Sequence, residues 1–110
     1  MTSCLMVYVT TRDLAEAERI GRAVVEERLA ACVNILPGMR SIYRWQGKIE
    51  AGDECVLIAK TRAALFDALA ARVRVLHSYS CPCIVALPLA AGVPDYLDWI
   101  RQATEASPSS

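Results

Sequence analysis

The sequence has little of what marks a nucleic-acid-binding, membrane or secreted protein. Its formal net charge is zero, with 12 basic and 12 acidic residues, and no run of Lys or Arg stands out. We therefore expect neither a nucleic acid nor an anionic membrane as a partner held by charge. The first residues lack the basic segment and the long apolar run of a secretion signal, and no apolar stretch approaches the ~20 residues that a membrane helix needs. We expect a cytoplasmic protein.

Motifs for catalysis and cofactor binding are also missing. The sequence has no Gly-rich phosphate loop, no nucleophile elbow, no zinc-ligand quartet and no internal repeat. Its only histidine, His77, has no base or orienting residue close to it in sequence, so an enzyme is the least supported class of protein. The five cysteines are an odd number, which favours free thiols over a disulfide framework.

Apolar residues, in contrast, are abundant. They make up 55% of the 110 residues, above the usual ~45–50% of a globular domain. The length predicts a single domain, which we place at residues 1–105, and residues 106–110 are expected to be a disordered tail. Because so small a domain has a limited interior, part of the apolar surplus is expected to be covered by other chains in an oligomer.

Four runs predict strands, at 4–11, 30–36, 54–61 and 83–89, and the first of them is rich in β-branched and aromatic residues. Pro37-Gly38 punctuates the second strand, residues 41–46 continue extended, and the chain turns at Gln46-Gly47 to make a long hairpin with the third strand. Pro88 removes a donor from the last strand, so that strand is predicted to be an edge or to stop pairing there.

Three helices are predicted between and after these strands. Asp13 and Glu16 form a capping-box pair at the start of the first, which runs to about Leu29. Thr61 is the predicted cap of the second helix, which runs to about His77, and a short third helix follows Pro94. The order β-α-β-β-α-β plus a terminal helix predicts an α+β, ferredoxin-like fold: an antiparallel sheet with helices on one face.

The segment "HSYSCPC" concentrates soft metal ligands. His77, Cys81 and Cys83 together offer an imidazole and two thiolates, which suit Cu(I) or zinc. If the chain is extended there, the two cysteines point to the same face, about 7 Å apart at Cα. The alternative is a helix–strand junction with two unpaired thiols, since structural zinc sites usually have four ligands.

Long stretches of the sequence resemble the CutA divalent-cation tolerance family. They are "VEERLAACVNILPGMRSIYRWQGKIE" (25–50), "KTR" (60–62), "LHSY" (76–79), "ALPL" (86–89) and "YLDWI" (96–100). The resemblance runs from about residue 5 to residue 102. It implies a ferredoxin-like fold, a homotrimer, a cytoplasmic setting and an association with tolerance to copper and other divalent metals. It implies no established reaction.

The sequence departs from this family in the segment that opens with His77. The family usually reads His-Pro-Tyr-Glu-x-Pro-Glu there, whereas Ser80 and Cys83 stand at the two acidic positions of this chain. Some members also carry a cysteine late in the first strand and a second histidine, at positions that match Val9 and Leu76. Of a copper site built from those groups, only His77 remains.

A second set of candidate residues comes from three of the matched segments. Trp45, Lys60 and Tyr79 are expected to meet in an intersubunit cleft, because the long hairpin of a trimer would reach a neighbouring chain. Two aromatic rings beside a cation would take an anionic or aromatic small molecule. The alternative is packing within the interface, where Tyr and Trp are enriched.

Three classes of function follow. The first is a trimer that responds to metal ions, with copper or another divalent cation as its ligand and no certain cofactor. The second is a signalling trimer that binds a small molecule, like the PII proteins, which the family resembles in architecture. The third is a structural trimer that organises a partner protein.

Overall fold

A computed structural model describes residues 2–106 of the chain. Four strands and three α-helices follow one another in the predicted order; they are β1 (Cys4–Thr11), α1 (Leu14–Glu26), β2 (Cys32–Trp45), β3 (Lys48–Arg62), α2 (Phe66–Leu76), β4 (Ile84–Pro88) and α3 (Pro94–Ala103). The strands form one antiparallel sheet in the order β2-β3-β1-β4. This arrangement confirms the ferredoxin-like α+β prediction, and β4, which ends at Pro88, lies at an edge.

The main core lies between one face of the sheet and helices α1 and α2. Val7 and Val9 of β1 point to this face and pack among Ile20 of α1 and Leu69 of α2, all of them 0–1% exposed. Cys4, which is out of phase with Val7 along the strand, points to the other face. There it packs with Ala31, Leu97 and Ile100 in a smaller cluster under α3.

Strands β2 and β3 form a hairpin longer than the two predicted strands. Pro37-Gly38 does not end β2, because a shift of register between Leu36 and Met39 absorbs the extra residue as a bulge. Gln46 and Gly47 have φ values of 50° and 80°, which are the positive angles of a tight type I′ hairpin turn. The hairpin therefore extends beyond the rest of the sheet.

The predicted end of the first helix and the predicted cap of the second helix were both wrong. Helix α1 ends at Glu26 rather than near Leu29, because Arg28 takes a left-handed φ of 60°. The Leu29 N–H then donates to Val24 and the Arg28 N–H to Val25, which is a Schellman ending. Thr61 is not a helix cap: its hydroxyl donates to the Leu29 carbonyl at 2.6 Å, and a 3₁₀ turn (Ala63–Leu65) precedes α2.

Two remaining observations concern the C-terminal tail and the possibility of a membrane-spanning helix. Of the tail predicted at 106–110, residues 107–110 lie outside the described residues. Among the helices of residues 2–106, none is long and apolar enough to cross a membrane.

Candidate functional site

A cavity of about 680 Å³ opens where the β2–β3 hairpin meets the end of β1 and the connection between α2 and β4. Three elements therefore supply its wall. The lining residues are Thr10, Arg40, Ser41, Ile42, Tyr43, Trp45, Glu54, Tyr79, Ser80, Cys81 and Cys83. Four residues singled out from the sequence, Trp45, Tyr79, Cys81 and Cys83, are thus brought to one place.

His77 is held inside the protein by both of its ring nitrogens. Nε2 lies 2.8 Å from the carbonyl oxygen of Thr10, and Nδ1 lies 3.0 Å from the backbone nitrogen of Tyr79. Because a carbonyl only accepts, Nε2–H is the donor and Nδ1 accepts the Tyr79 N–H, which fixes the neutral Nε2–H tautomer. The side chain is 0% exposed. In this arrangement neither nitrogen is free to bind a metal ion.

Cys81 and Cys83 differ from His77 in that both are exposed and unpaired. Both line the cavity, and only Pro82 separates them in the chain. Partial burial and the nearby carboxylate of Glu54 raise the pKa of the Cys83 thiol. Within residues 2–106, no group of three or more His, Cys, Asp or Glu side chains is arranged to hold a metal ion. The three-ligand site at His77, Cys81 and Cys83 stays a prediction.

Tyr79 connects the cavity wall to the hairpin. Its hydroxyl donates to Glu54 Oε2 at 2.9 Å, and its ring lies 4.7 Å from the ring of His77. Burial and the hydrogen bond to the Glu54 carboxylate raise the pKa of Tyr79 well above its usual value. Trp45, at the end of β2, is 48% exposed in the single chain.

Lys60 lies away from this cavity. Its ammonium group donates to Asn34 Oδ1 and sits 6.0 Å from the centroid of the Tyr96 ring, beside α3. Burial and the Cys32 thiol raise the pKa of Tyr96 to about 12. Within one chain, the structure therefore brings together Trp45 and Tyr79 but not Lys60.

Glu16 does not line the cavity but holds the segment that does, a role that sequence reasoning missed. Its carboxylate accepts the backbone N–H of Arg12 at 3.0 Å, as a variant of the predicted capping box, and the N–H of Ser78 at 3.0 Å. It also lies 3.7 Å from His77 Nδ1. Burial disfavours the charged form, but these hydrogen bonds outweigh it, so the pKa of Glu16 is lowered. This carboxylate fixes the segment that carries Tyr79 to the start of α1.

Glu54 was missed as well. It stands at the polar start of the apolar run "ECVLIAKT", and nothing in that run points to Tyr79, which is 25 residues away. Only the paired strands bring the carboxylate to the cavity.

Comparison with known proteins agrees with this fold and with the motifs. Residues 5–103 match the family model described as "CutA1 divalent ion tolerance protein". The chain belongs to the CutA1 family. The divalent-cation tolerance protein CutA of Thermus thermophilus is 50% identical over 99 residues, which are 90% of this chain and 96% of that protein.

Solved structures of CutA1 family members superpose closely. The CutA crystal structure from Xylella fastidiosa has a TM-score of 0.92 at 43% identity and covers 94% of this chain and 100% of its own. The structure from Archaeoglobus fulgidus, which is called a periplasmic divalent cation tolerance protein, has a TM-score of 0.91 at 44% identity, over 93% of this chain and 99% of its own.

Proposed function

We propose that this chain acts in tolerance and response to divalent metal ions, as a cytoplasmic homotrimer that binds copper through the Cys81 and Cys83 thiols. Membership of the CutA1 family supports the general role. The observation that carries the copper site is that both thiols are exposed and line the same cavity. Two thiolates suffice for Cu(I), which is a soft ion.

His77 takes a supporting part in this proposal. Its ring nitrogens hold Thr10 and Tyr79, so ligation through either nitrogen would break the buried hydrogen bond at that nitrogen, which has a net value of about 0.5–1.5 kcal/mol. We therefore expect the imidazole to position the Tyr79 segment and the two thiolates to bind the ion. The three-ligand arrangement predicted from the sequence is the competing version, and a Cu(I) titration of variants separates the two.

The test is a Cu(I) titration of the reduced protein without an affinity tag, with a competing chelator that sets the free metal. Cys81→Ser/Cys83→Ser is expected to lose binding, whereas His77→Gln weakens it less. Cys32→Ser is the matched control, because Cys32 is a partly exposed thiol that lies beside Tyr96 rather than in the cavity. Equal Cu(I) affinity in the wild type and the double variant would refute the copper site.

The homotrimer has separate support in the hairpin. Ile42 is 74% exposed and Ile49 is 63% exposed in the single chain, and large apolar side chains grouped on one projecting element favour burial against another chain. Light scattering at micromolar concentration is expected to give the mass of three chains. A monomer or dimer would contradict this proposal.

The cytoplasmic location is supported by the two exposed thiols, which stay reduced in a reducing compartment. Because the Archaeoglobus fulgidus relative is called periplasmic, the location needs its own experiment. Cell fractionation combined with trapping of free thiols is expected to recover the chain in the cytoplasmic fraction with Cys81 and Cys83 reduced. Recovery from an oxidising compartment would contradict the proposal.

A second candidate function is the binding of a small anionic or aromatic molecule in the cavity. It is favoured by Tyr43 and Trp45 lining the same space as the guanidinium of Arg40. A thermal-shift screen tests it, because a ligand that binds only the folded state raises the unfolding temperature. The shift is expected to disappear in Trp45→Ala; a shift that persists there would place the ligand elsewhere.

A further inference from the structure

The Cys81-Pro82-Cys83 segment has features beyond its ligand atoms. Both thiols are exposed and face one cavity. The segment lies outside the sheet, because the pairing of β4 with β1 reaches no further than Ile84 opposite Val9. No strand ladder therefore holds the backbone between the two cysteines.

Because no strand pairing holds this backbone, the distance between the Cα atoms of Cys81 and Cys83 can change. A fully extended segment separates the Cα atoms by about 7 Å, slightly beyond the roughly 4.4–6.8 Å of ordinary disulfides. A small bend closes that gap. Pro82 has no N–H to lose from a hydrogen bond, and sheet pairing begins only after Cys83. The pair can therefore close into a disulfide at the cost of local backbone strain.

We propose that the Cys81–Cys83 dithiol reduces Cu(II) to Cu(I) and is itself oxidised to a disulfide. Each thiol releases one proton to solvent and gives up one electron, the two sulfur atoms form one S–S bond, and two Cu(II) ions accept one electron each. The inference rests on the proposed binding of copper by the same two thiols. The reaction consumes Cu(II) and delivers Cu(I), the form that thiolates bind best.

A disulfide between cysteines with only one residue between them is strained, and this strain affects how easily it is reduced. Strained and exposed disulfides are more readily reduced than unstrained ones. A low-molecular-weight thiol therefore returns the oxidised chain to the dithiol. Chains that are still reduced hold the Cu(I) that their oxidised copies produce.

The other three cysteines are poorly placed for the same reaction. Cys4 and Cys55 are buried, and burial raises the pKa of the Cys55 thiol. Cys32 is partly exposed, and its sulfur lies 3.6 Å from the Tyr96 hydroxyl. Neither buried thiol reaches solvent copper, and Cys32 has no neighbouring cysteine in sequence.

The experiment adds Cu(II) sulfate to the reduced full chain under anaerobic conditions, in the presence of a chromogenic Cu(I) chelator. Relative to Cys81→Ser/Cys83→Ser, the wild type is expected to produce about two more Cu(I) per chain and at least a tenfold higher initial rate. Mass spectrometry is expected to show the loss of two hydrogens in the peptide that contains both cysteines. Cys32→Ser is expected to behave as the wild type.

Two results would overturn the inference. One is equal Cu(II) reduction by the wild type and the double variant; the other is reduction without a disulfide between Cys81 and Cys83. Cu(I) titration in parallel separates this inference from the proposed function. Normal Cu(I) binding without Cu(II) reduction refutes the redox reaction alone, and loss of Cu(I) binding refutes the copper site on which it rests.

Discussion

Glu16 offers the sharpest test of how this structure is held together. Its buried carboxylate accepts the N–H of Arg12 and the N–H of Ser78, each at 3.0 Å, and its side chain is 0% exposed. One oxygen serves each donor. The residue therefore joins the start of α1 to the segment that follows α2, which carries Tyr79.

Glu16→Gln removes one of these two acceptors while keeping the size of the side chain. The amide NH₂ group then faces a backbone N–H, so that two donors meet in a buried place. A hydrogen bond to a charged group has a net value of about 1.5–3 kcal/mol, and a buried donor without a partner costs about 1–3 kcal/mol. Because the two costs overlap, we expect the free energy of unfolding to fall by about 2–4 kcal/mol.

Urea unfolding at pH 7 and a fixed chain concentration measures this loss. Glu18→Gln is the matched control, because Glu18 lies on the same helix and is exposed; its effect is expected to stay within about 0.5 kcal/mol. A loss below about 1 kcal/mol in Glu16→Gln would refute the argument that the two N–H groups depend on this carboxylate.

The pH dependence supplies an independent check. The pKa of Glu16 is lowered in the folded chain, so its contribution to stability is present above the unfolded pKa of about 4.3 and is lost as the pH falls through the folded pKa. The stability difference between the wild type and Glu16→Gln is therefore expected to shrink as the pH falls below about 4.3. A difference that stays constant from neutral to strongly acidic pH would contradict the role of the charge.

Three further predictions concern the backbone and the hairpin. Arg28→Gly is expected to raise the free energy of unfolding by about 0.5–1 kcal/mol, because Arg28, just beyond α1, has a left-handed φ of 60°. Arg22→Gly, inside α1, is expected to lower the free energy of unfolding by about 1 kcal/mol. Urea unfolding that gave both variants a change of the same sign would contradict the reasoning. Gly47→Ala is expected to cost about 1–2 kcal/mol, because φ is 80° at that turn residue, whereas Gly52→Ala, which meets no atom within 4 Å, is the control expected to change little in the same assay. Trp45→Ala is expected to lower the stability of the proposed homotrimer by more than about 1 kcal/mol, measured by thermal unfolding at two chain concentrations. A smaller change that does not depend on chain concentration would mean that the Trp45 side chain is not buried against another chain.

The local patterns of the sequence were sufficient for the order of the elements. The β-branched and aromatic content of "CLMVYVTT" and the position of Asp13 act over a few residues, so the bounds of β1 and the start of α1 follow directly from them. The end of α1 was less predictable, because no rule of composition places Arg28 in a left-handed conformation. Pro37-Gly38 was similarly ambiguous: alone it marks a break, and only pairing with β3 makes it a bulge.

The sequence by itself thus determined the family, the topology and the closeness of the two exposed thiols, because these depend on motifs and on residues that are near one another in the chain. Tertiary structure alone decided which side chains share the cavity. The contact of His77 with Thr10 spans 67 residues, and that of Tyr79 with Glu54 depends on strand pairing in the hairpin. Lys60 is separated from Trp45 and Tyr79 for the same reason, since its place on β3 puts it beside α3. Hydrogen-bond partners that far apart in sequence are set by strand register and by the path of the connections, which no local pattern encodes.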